Sequence, residues 1–413
     1  MSTFNTFSQA AIDHMTDGYV VFLKRADRDM HGHNGVFIDE LMSGFEKHGL
    51  AVRYLDYVHD VRQVTEAMND PKCRFFACFN GFGSELMFQE APGRLVSSYG
   101  FFKKPLFDLM HDSPIHESMA HQVESTDSQR HLFATDTTYA HLARLLGLRN
   151  VHAVPSITFP QTAPKILSAF ESRPIDILLP IGLVQSSVMR ERHSLATNYR
   201  GRVFREIFEA VTEVAANDLR VDPLIETLLA LQQAQVHCDV QDPDVRFLVT
   251  SIVDYVKFER RDDLVRSIQH LPVTIIPDRD VSQRFKDTSL KFVDTKSFRE
   301  LIATMADAKA VICPLPHHTG FHERALAAFS VASVVVAAPN EVLETNFFHG
   351  QEMLGYSSHE ELAALLEDCI DGKKDLESIG RRGHEKAMAR FSPDRLADIM
   401  VSRYLDIRDP TIR

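Results

Sequence analysis

Residues 310–356 constrain this chain more than any other stretch. They open with AVICPLP, an apolar run that stops at prolines, continue through HHTGFHERALAAFSVA, and reach SVVVAAPN at 333–340. The first and third pieces are β-branched and uninterrupted, as expected of strands buried on both faces of a parallel sheet. Between them Gly320 stands just ahead of a helical segment, 323–332. Strand, glycine loop, helix, strand is a βαβ unit, and its polar residues cluster where the strand ends and the helix begins. Open α/β sheets hold ligands at that carboxyl edge, and a helix N-terminus presents unpaired N–H groups and a positive dipole end to a phosphate. His317, His318, His322, Glu323 and Arg324 all fall there.

The same alternation runs through the rest of the chain. Short apolar runs at 18–23, 50–56, 74–79, 105–110, 132–135 and 151–154 are separated by helical patterns or polar loops, and predict a Rossmann-like domain over about 17–165. Residues 165–173 read as a helical crossover. A second series of strands follows at 175–180, 271–277, 291–293, 310–313 and 334–338, with helices at 199–216, 223–235 and 244–270. Near the end, a helix over 375–390 stops at Phe391, and Ser392-Pro393-Asp394 signals the start of another. A chain of 413 residues is too long for one ordinary core, which agrees with two domains.

These residues also carry a resemblance. GFHERALAAFSVASVVVAAPN, followed by FFHGQEMLGYSSHEELAALL and a helical tail, resembles the C-terminal half of GT-B glycosyltransferases of the group 1 type, nearest the spore-maturation CgeB-like branch. The resemblance covers about 294–404. It implies an α/β, GT-B chain with two Rossmann-like, doubly wound domains facing across a cleft. Residues 1–170 would be the acceptor domain, 171–390 the nucleotide-sugar donor domain, and 391–413 a helix crossing back to the first. Retaining relatives carry a second acid in the helix after Gly320, and the closest position here is Ala327, which leans the expectation towards inversion.

Composition narrows the partners. A net charge of −12 argues against nucleic acid or an anionic membrane as the main partner, and no run of about 18 apolar residues predicts a transmembrane segment. Five cysteines without CxxC or metal spacing read as buried thiols in a reducing cytoplasm. The first residues lack the basic and apolar regions of a signal peptide.

Transfer from a nucleotide sugar needs a held diphosphate, a stabilised leaving group and a base for the acceptor hydroxyl. On the donor side the candidates are Gly320, His322, Glu323 and Arg324. Gly182, Gln185, Ser186 and Arg190 in the loop after the 175–180 strand join them, with Arg192 in reserve. The resemblance gives Glu323 and Asn340 sugar or ribose hydroxyls, and puts the base-binding loop at 293–296. An ordinary strand-to-helix turn at Gly182 and a solvated first turn at Glu323 and Arg324 are the plain structural readings. On the acceptor side, His31 and His33 in DMHGHNG and His111 and Asp112 in HDSP compete as catalytic base, with a structural loop role open for both. The loop at 80–85 can shape the acceptor side. His-x-His without a third ligand at matching spacing gives no metal site, and no cofactor is implied beyond the nucleotide sugar as co-substrate, expected to be a UDP-sugar. The expected acceptor is a hydroxyl of a glycan, protein or small molecule. The alternatives are a GT-B-fold nucleotide-sugar epimerase and a catalytically inactive GT-B-like binding or scaffold protein.

Overall fold

The computed structural model describes residues 17–25, 27, 29, 31–116, 119, 127–183, 201–236, 239–277, 282–295, 297–314, 320 and 322–408. Its first elements are β1 (Gly18–Lys24), α1 (His33–Lys47), β2 (Leu50–Asp56), α2 (Val61–Asn69), β3 (Cys73–Phe79), β4 (Met87–Ala91), β5 (Arg94–Ser97), α3 (Ser98–Phe102) and β6 (Leu106–Met110). β7 (Arg130–Ala134), α4 (Thr137–Leu145), β8 (Val151–Ala153), β9 (Ile175–Ile181), α5 (Gly201–Asn217), α6 (Pro223–Gln233), α7 (Pro243–Ile268), β10 (Thr274–Pro277) and β11 (Lys291–Phe292) follow. The chain continues with α8 (Phe298–Ala306), β12 (Ala308–Cys313), α9 (Glu323–Ser330), β13 (Val334–Ala337), α10 (Glu341–Asn346) and β14 (Leu354–Gly355). Three helices end it: α11 (His359–Ile370), α12 (Leu376–Arg390) and α13 (Pro393–Arg408). Contacts divide the chain into two compact units, Met1–Pro114 with His121–Gln161 and Phe391–Arg413, and Ile115–Ala120 with Thr162–Arg390.

The first unit is built on a parallel six-stranded sheet in the order β2-β1-β3-β6-β7-β8. Val20, Val21 and Phe22 in β1, Phe76 and Cys78 in β3 and Leu106 and Phe107 in β6 are all fully buried, which is why these strands read as unbroken apolar runs. α13 lies on α1, and the approach is close because Gly44 has no side chain: a Cβ there would stand 2.7 Å from that of Ala397. Thr158 fixes the start of this helix by donating its N–H and hydroxyl to the Phe391 carbonyl at 2.7 and 3.0 Å.

The second unit holds another parallel six-stranded sheet, β11-β10-β9-β12-β13-β14. Numbered from its own first strand this is 3-2-1-4-5-6, the order of dinucleotide-binding sheets. Ile177, Leu179, Ile312, Val336 and Tyr356 pack with Leu264 and Val265 of α7 and Leu362 and Leu366 of α11 into one core. Arg173 ties the amino edge, donating from Nη1 to the Ala308 carbonyl at 2.9 Å and from Nη2 to that of Val331 at 3.0 Å.

Three local expectations change. The crossover helix over 165–173 is absent; only the turn Phe170–Ser172 is helical, of the 3-10 kind. Pro174 holds Arg173 extended, and nine residues between Pro164 and Pro174 are too few for a helix without a buried face, Ile166 being 89% exposed. The antiparallel hairpin β4–β5 was not expected, because most of its residues are exposed and it shows no buried alternation; Pro92-Gly93 was its one signal. Helix α8 was also missed, although Ser297 and Glu300 three residues on spell a capping box, and the Ser297 hydroxyl accepts from the Glu300 N–H.

Candidate functional site

In the second sheet the chain leaves β9 towards β10 and β11, then returns to the other side of β9 for β12, β13 and β14. The carboxyl ends of β9 and β12 therefore flank a topological switch point, where such sheets open a crevice. Gly182 follows β9 directly, and its carbonyl accepts from Arg261 Nη1 at 3.1 Å. Arg324, in the first turn of α9, reaches across to β9 and donates from Nη1 to the Pro180 carbonyl at 3.3 Å.

His322 is the N-cap of α9, its Nδ1 accepting from the Arg324 N–H at 3.3 Å and lying 3.1 Å from Glu323 Oε1. The two contacts are mutually exclusive for one nitrogen: a bare Nδ1 caps the helix, whereas a protonated one donates to Glu323. Because the cap takes the Arg324 N–H, the helix start offers a charged guanidinium and a carboxylate more than open backbone donors. Asn340 is buried; it donates from Nδ2 to the Gly320 carbonyl at 3.0 Å and caps α10 through Leu343 N–H. It thus holds the glycine loop from behind, through contacts made inside the protein. Ala327 is fully buried. Burial pushes the Cys313 thiol up to about 12, while Arg324 pulls it down and Glu323 pushes it up, so both charges stand near the end of β12.

Gly182, Gly320, His322, Glu323, Arg324 and Asn340, all candidates from the sequence, lie along the carboxyl edge of the second sheet. Gln185, Ser186, Arg190, Arg192, Lys296, His317 and His318 lie outside the described residues. Lys257, Arg260 and Arg261 of α7, His359 of α11 and Tyr356 line a pocket at the same edge; none was a candidate site residue, although Tyr356 and His359 fall in the stretch that carries the resemblance. FERRDD within a long helix reads as a solvated face, and no spacing distinguishes it.

The first sheet has its own switch point, between β1 and β3. His33 opens the helix after β1, Asn80 follows β3, and His111 and Asp112 follow β6. The His33 and His111 rings meet edge-on with centroids 5.6 Å apart, and His111 is packed by Phe37 at 5.0 Å and Phe79 at 5.4 Å. Asn80 has φ of 49°, the left-handed region, and its side chain links the loop: Oδ1 accepts from His111 N–H at 2.9 Å, and Nδ2 donates to Asp112 Oδ2 at 2.7 Å. The next N–H, of Gly81, donates to buried Asp108 at 2.8 Å, and Arg130 Nε donates to the other oxygen of that carboxylate at 3.1 Å. His33, His111 and Asp112 are brought together, whereas His31 is exposed on the turn before α1. Among the described residues no group of three or more His, Cys, Asp or Glu side chains is placed to hold a metal ion.

Solved structures share this pair of units. HepE from Anabaena, in complex with UDP-glucose, superposes with a TM-score of 0.53 at 11% identity, covering 94% of this chain and 99% of its own. Sucrose-phosphate synthase from Thermosynechococcus elongatus gives 0.52 at 11% identity, covering 95% and 99%. A glycosyltransferase from Rickettsia africae gives 0.50 at 9% identity, covering 96% and 100%. This chain has the GT-B fold. Within it, residues 260–402 match the family model described as glycosyl transferase-like, which takes in the end of α7, the switch-point strand β12 and all of α9. No curated protein matches the chain in sequence. Among the described residues no helix of this GT-B chain is long and apolar enough to cross a membrane.

Proposed function

We propose that this GT-B protein is a glycosyltransferase that takes a sugar from a nucleotide-sugar donor, a UDP-sugar, and passes it to a hydroxyl of a glycan, protein or small molecule. The observation that carries the reading is the convergence of Gly182, Gly320, Glu323 and Arg324 at the switch point of the second sheet. Arg324 gives the leaving diphosphate a fixed positive charge there, so the reading requires no metal ion. Glu323, beside the cap, accepts from a sugar or ribose hydroxyl. In the first unit His111 or Asp112, held by Asn80, or His33 beside them, takes the proton from the acceptor. The UDP-glucose bound to the similarly folded HepE supports a uridine nucleotide as the donor carrier. Buried free thiols at Cys73, Cys78, Cys313 and Cys369 suit a reducing cytoplasm.

Calorimetry with UDP and UDP-sugars, followed by an assay for slow donor hydrolysis, tests the reading. Binding with hydrolysis is expected. Binding without any turnover, over a range of acceptors, would favour a scaffold role.

A further inference from the structure

The pocket beside the switch point is not accounted for by the transferase reading. Lys257, Arg260 and Arg261 come from the middle of α7, and His359 is the first residue of α11. Pro314, Ala338 and Tyr356 close its floor, each following the carboxyl end of a strand: β12, β13 and β14. Leu219, Val253 and Val256 make an apolar wall. Among the described residues that line it there is no carboxylate.

Its position sets it apart from Arg324. The connection from β9 to β10 runs one way across the sheet and that from β12 to β13 the other, so right-handed crossovers place α7 and α9 on opposite faces. The packing agrees: α7 contacts α5, α6 and α11, whereas α9 contacts α8 and α12.

Backbone carbonyls orient both guanidinium groups. Arg260 donates from Nε to the Ala215 carbonyl at 2.9 Å and from Nη2 to those of Asp218 and Val221 at 2.8 and 2.7 Å. Arg261 donates to the Gly182 carbonyl. The carboxylates of Asp222 and Asp218 also act on Arg260, from outside the lining. Lys257 has a carboxylate partner, Asp254, at 2.9 Å, and Asp254 also faces His116 at 3.8 Å. Asp263 and Glu360 act on the His359 ring from outside the lining, and burial holds its pKa below the usual value.

We propose that this pocket is a subsite for one compact anionic group, a carboxylate or a phosphate, separate from the place where Arg324 stands. Three fixed or tethered cations and an imidazole, with no acid among the described residues of the lining, are what such a group requires. The apolar wall then packs against the body that carries it. Two sources supply this chemistry: free phosphate, and the carboxylate of an acidic donor sugar.

The test uses the full chain and measures inorganic phosphate, UDP-glucose and UDP-glucuronate by calorimetry and thermal shift. Saturable phosphate binding is expected, weakened about fivefold or more in Lys257→Gln and in His359→Gln, roughly 1 kcal/mol each. Circular dichroism checks that each variant is folded. Tighter binding of UDP-glucuronate than of UDP-glucose, lost in Lys257→Gln, assigns the pocket to the donor's carboxylate. Equal binding of the two sugars, with phosphate still bound beside them, assigns it to free phosphate. No saturable phosphate binding together with no preference for UDP-glucuronate overturns the proposal. So does competition between UDP and phosphate for one site, because the pocket would then belong to the diphosphate. Failure of UDP to bind at all sinks the transferase reading instead, and leaves the phosphate measurement decisive for the pocket.

Discussion

Asn80 donates from Nδ2 to the carboxylate of Asp112 at 2.7 Å, and its Oδ1 accepts from the backbone N–H of His111. One side chain thus sets both the backbone after β6 and the direction of an exposed carboxylate. Asn80→Gly separates side chain from backbone, since glycine adopts the same left-handed φ without strain. Transfer rate should fall by about tenfold or more, as expected when a general base loses its orientation, while UDP affinity stays within about twofold. Steady-state kinetics with UDP calorimetry checks this. Equal losses in both would mean that Asn80 only supports the fold.

Asp108 and Arg130 form a buried ion pair behind that loop, 0% and 5% exposed. Arg130→Met leaves the carboxylate buried beside Gly81 N–H with its counter-charge gone, and should destabilise by about 3–5 kcal/mol. Urea unfolding measures it directly, and a loss below about 1 kcal/mol would show that water or a rearranged donor replaces the guanidinium.

The stacked imidazoles of His131 and His152 predict acid sensitivity. Burial first, and then Arg403, hold His131 down to about 3 and His152 down to about 4, from 6.5. A depressed histidine is neutral when folded and charged when unfolded, so its stabilisation is full above pH 6.5 and is lost as pH falls towards the folded value. Between pH 6.5 and 5 the loss should be on the order of 1–2 kcal/mol for His131, and smaller for the more exposed His152, whose charge water screens. Melting temperature against pH reports it, and His131→Gln/His152→Gln should flatten the profile in that window if the variant folds. A wild-type curve already flat from pH 7 to 5 would contradict the assignment.

The strand series was legible because parallel strands buried on both faces carry unbroken apolar runs, as YVVFL in β1 and AVIC in β12 do. The hairpin Met87–Ser97 was not, since an exposed ribbon leaves no burial pattern in its side chains. At the site, Gly320 and Arg324 were legible from a strand ending beside a helix start. Lys257, Arg260 and Arg261 were not, because only the tertiary packing of α7 shows which of a long helix's charges meet the strand ends. The network from Asp108 to Gly81 was equally hidden, an aspartate within an apolar strand carrying no local hint of its partner.

The central claim is that the diphosphate of a nucleotide sugar sits at the switch point under Arg324. Titrating UDP and a UDP-sugar into wild type, Arg324→Ala and Glu323→Gln by calorimetry tests it most directly. Removing one charge-assisted contact worth about 1.5–3 kcal/mol should weaken UDP by roughly 10- to 100-fold in Arg324→Ala. Glu323→Gln should leave UDP nearly unchanged and reduce the preference for UDP-sugar over UDP. Unchanged affinity for both ligands in both folded variants would contradict the account and put the donor elsewhere.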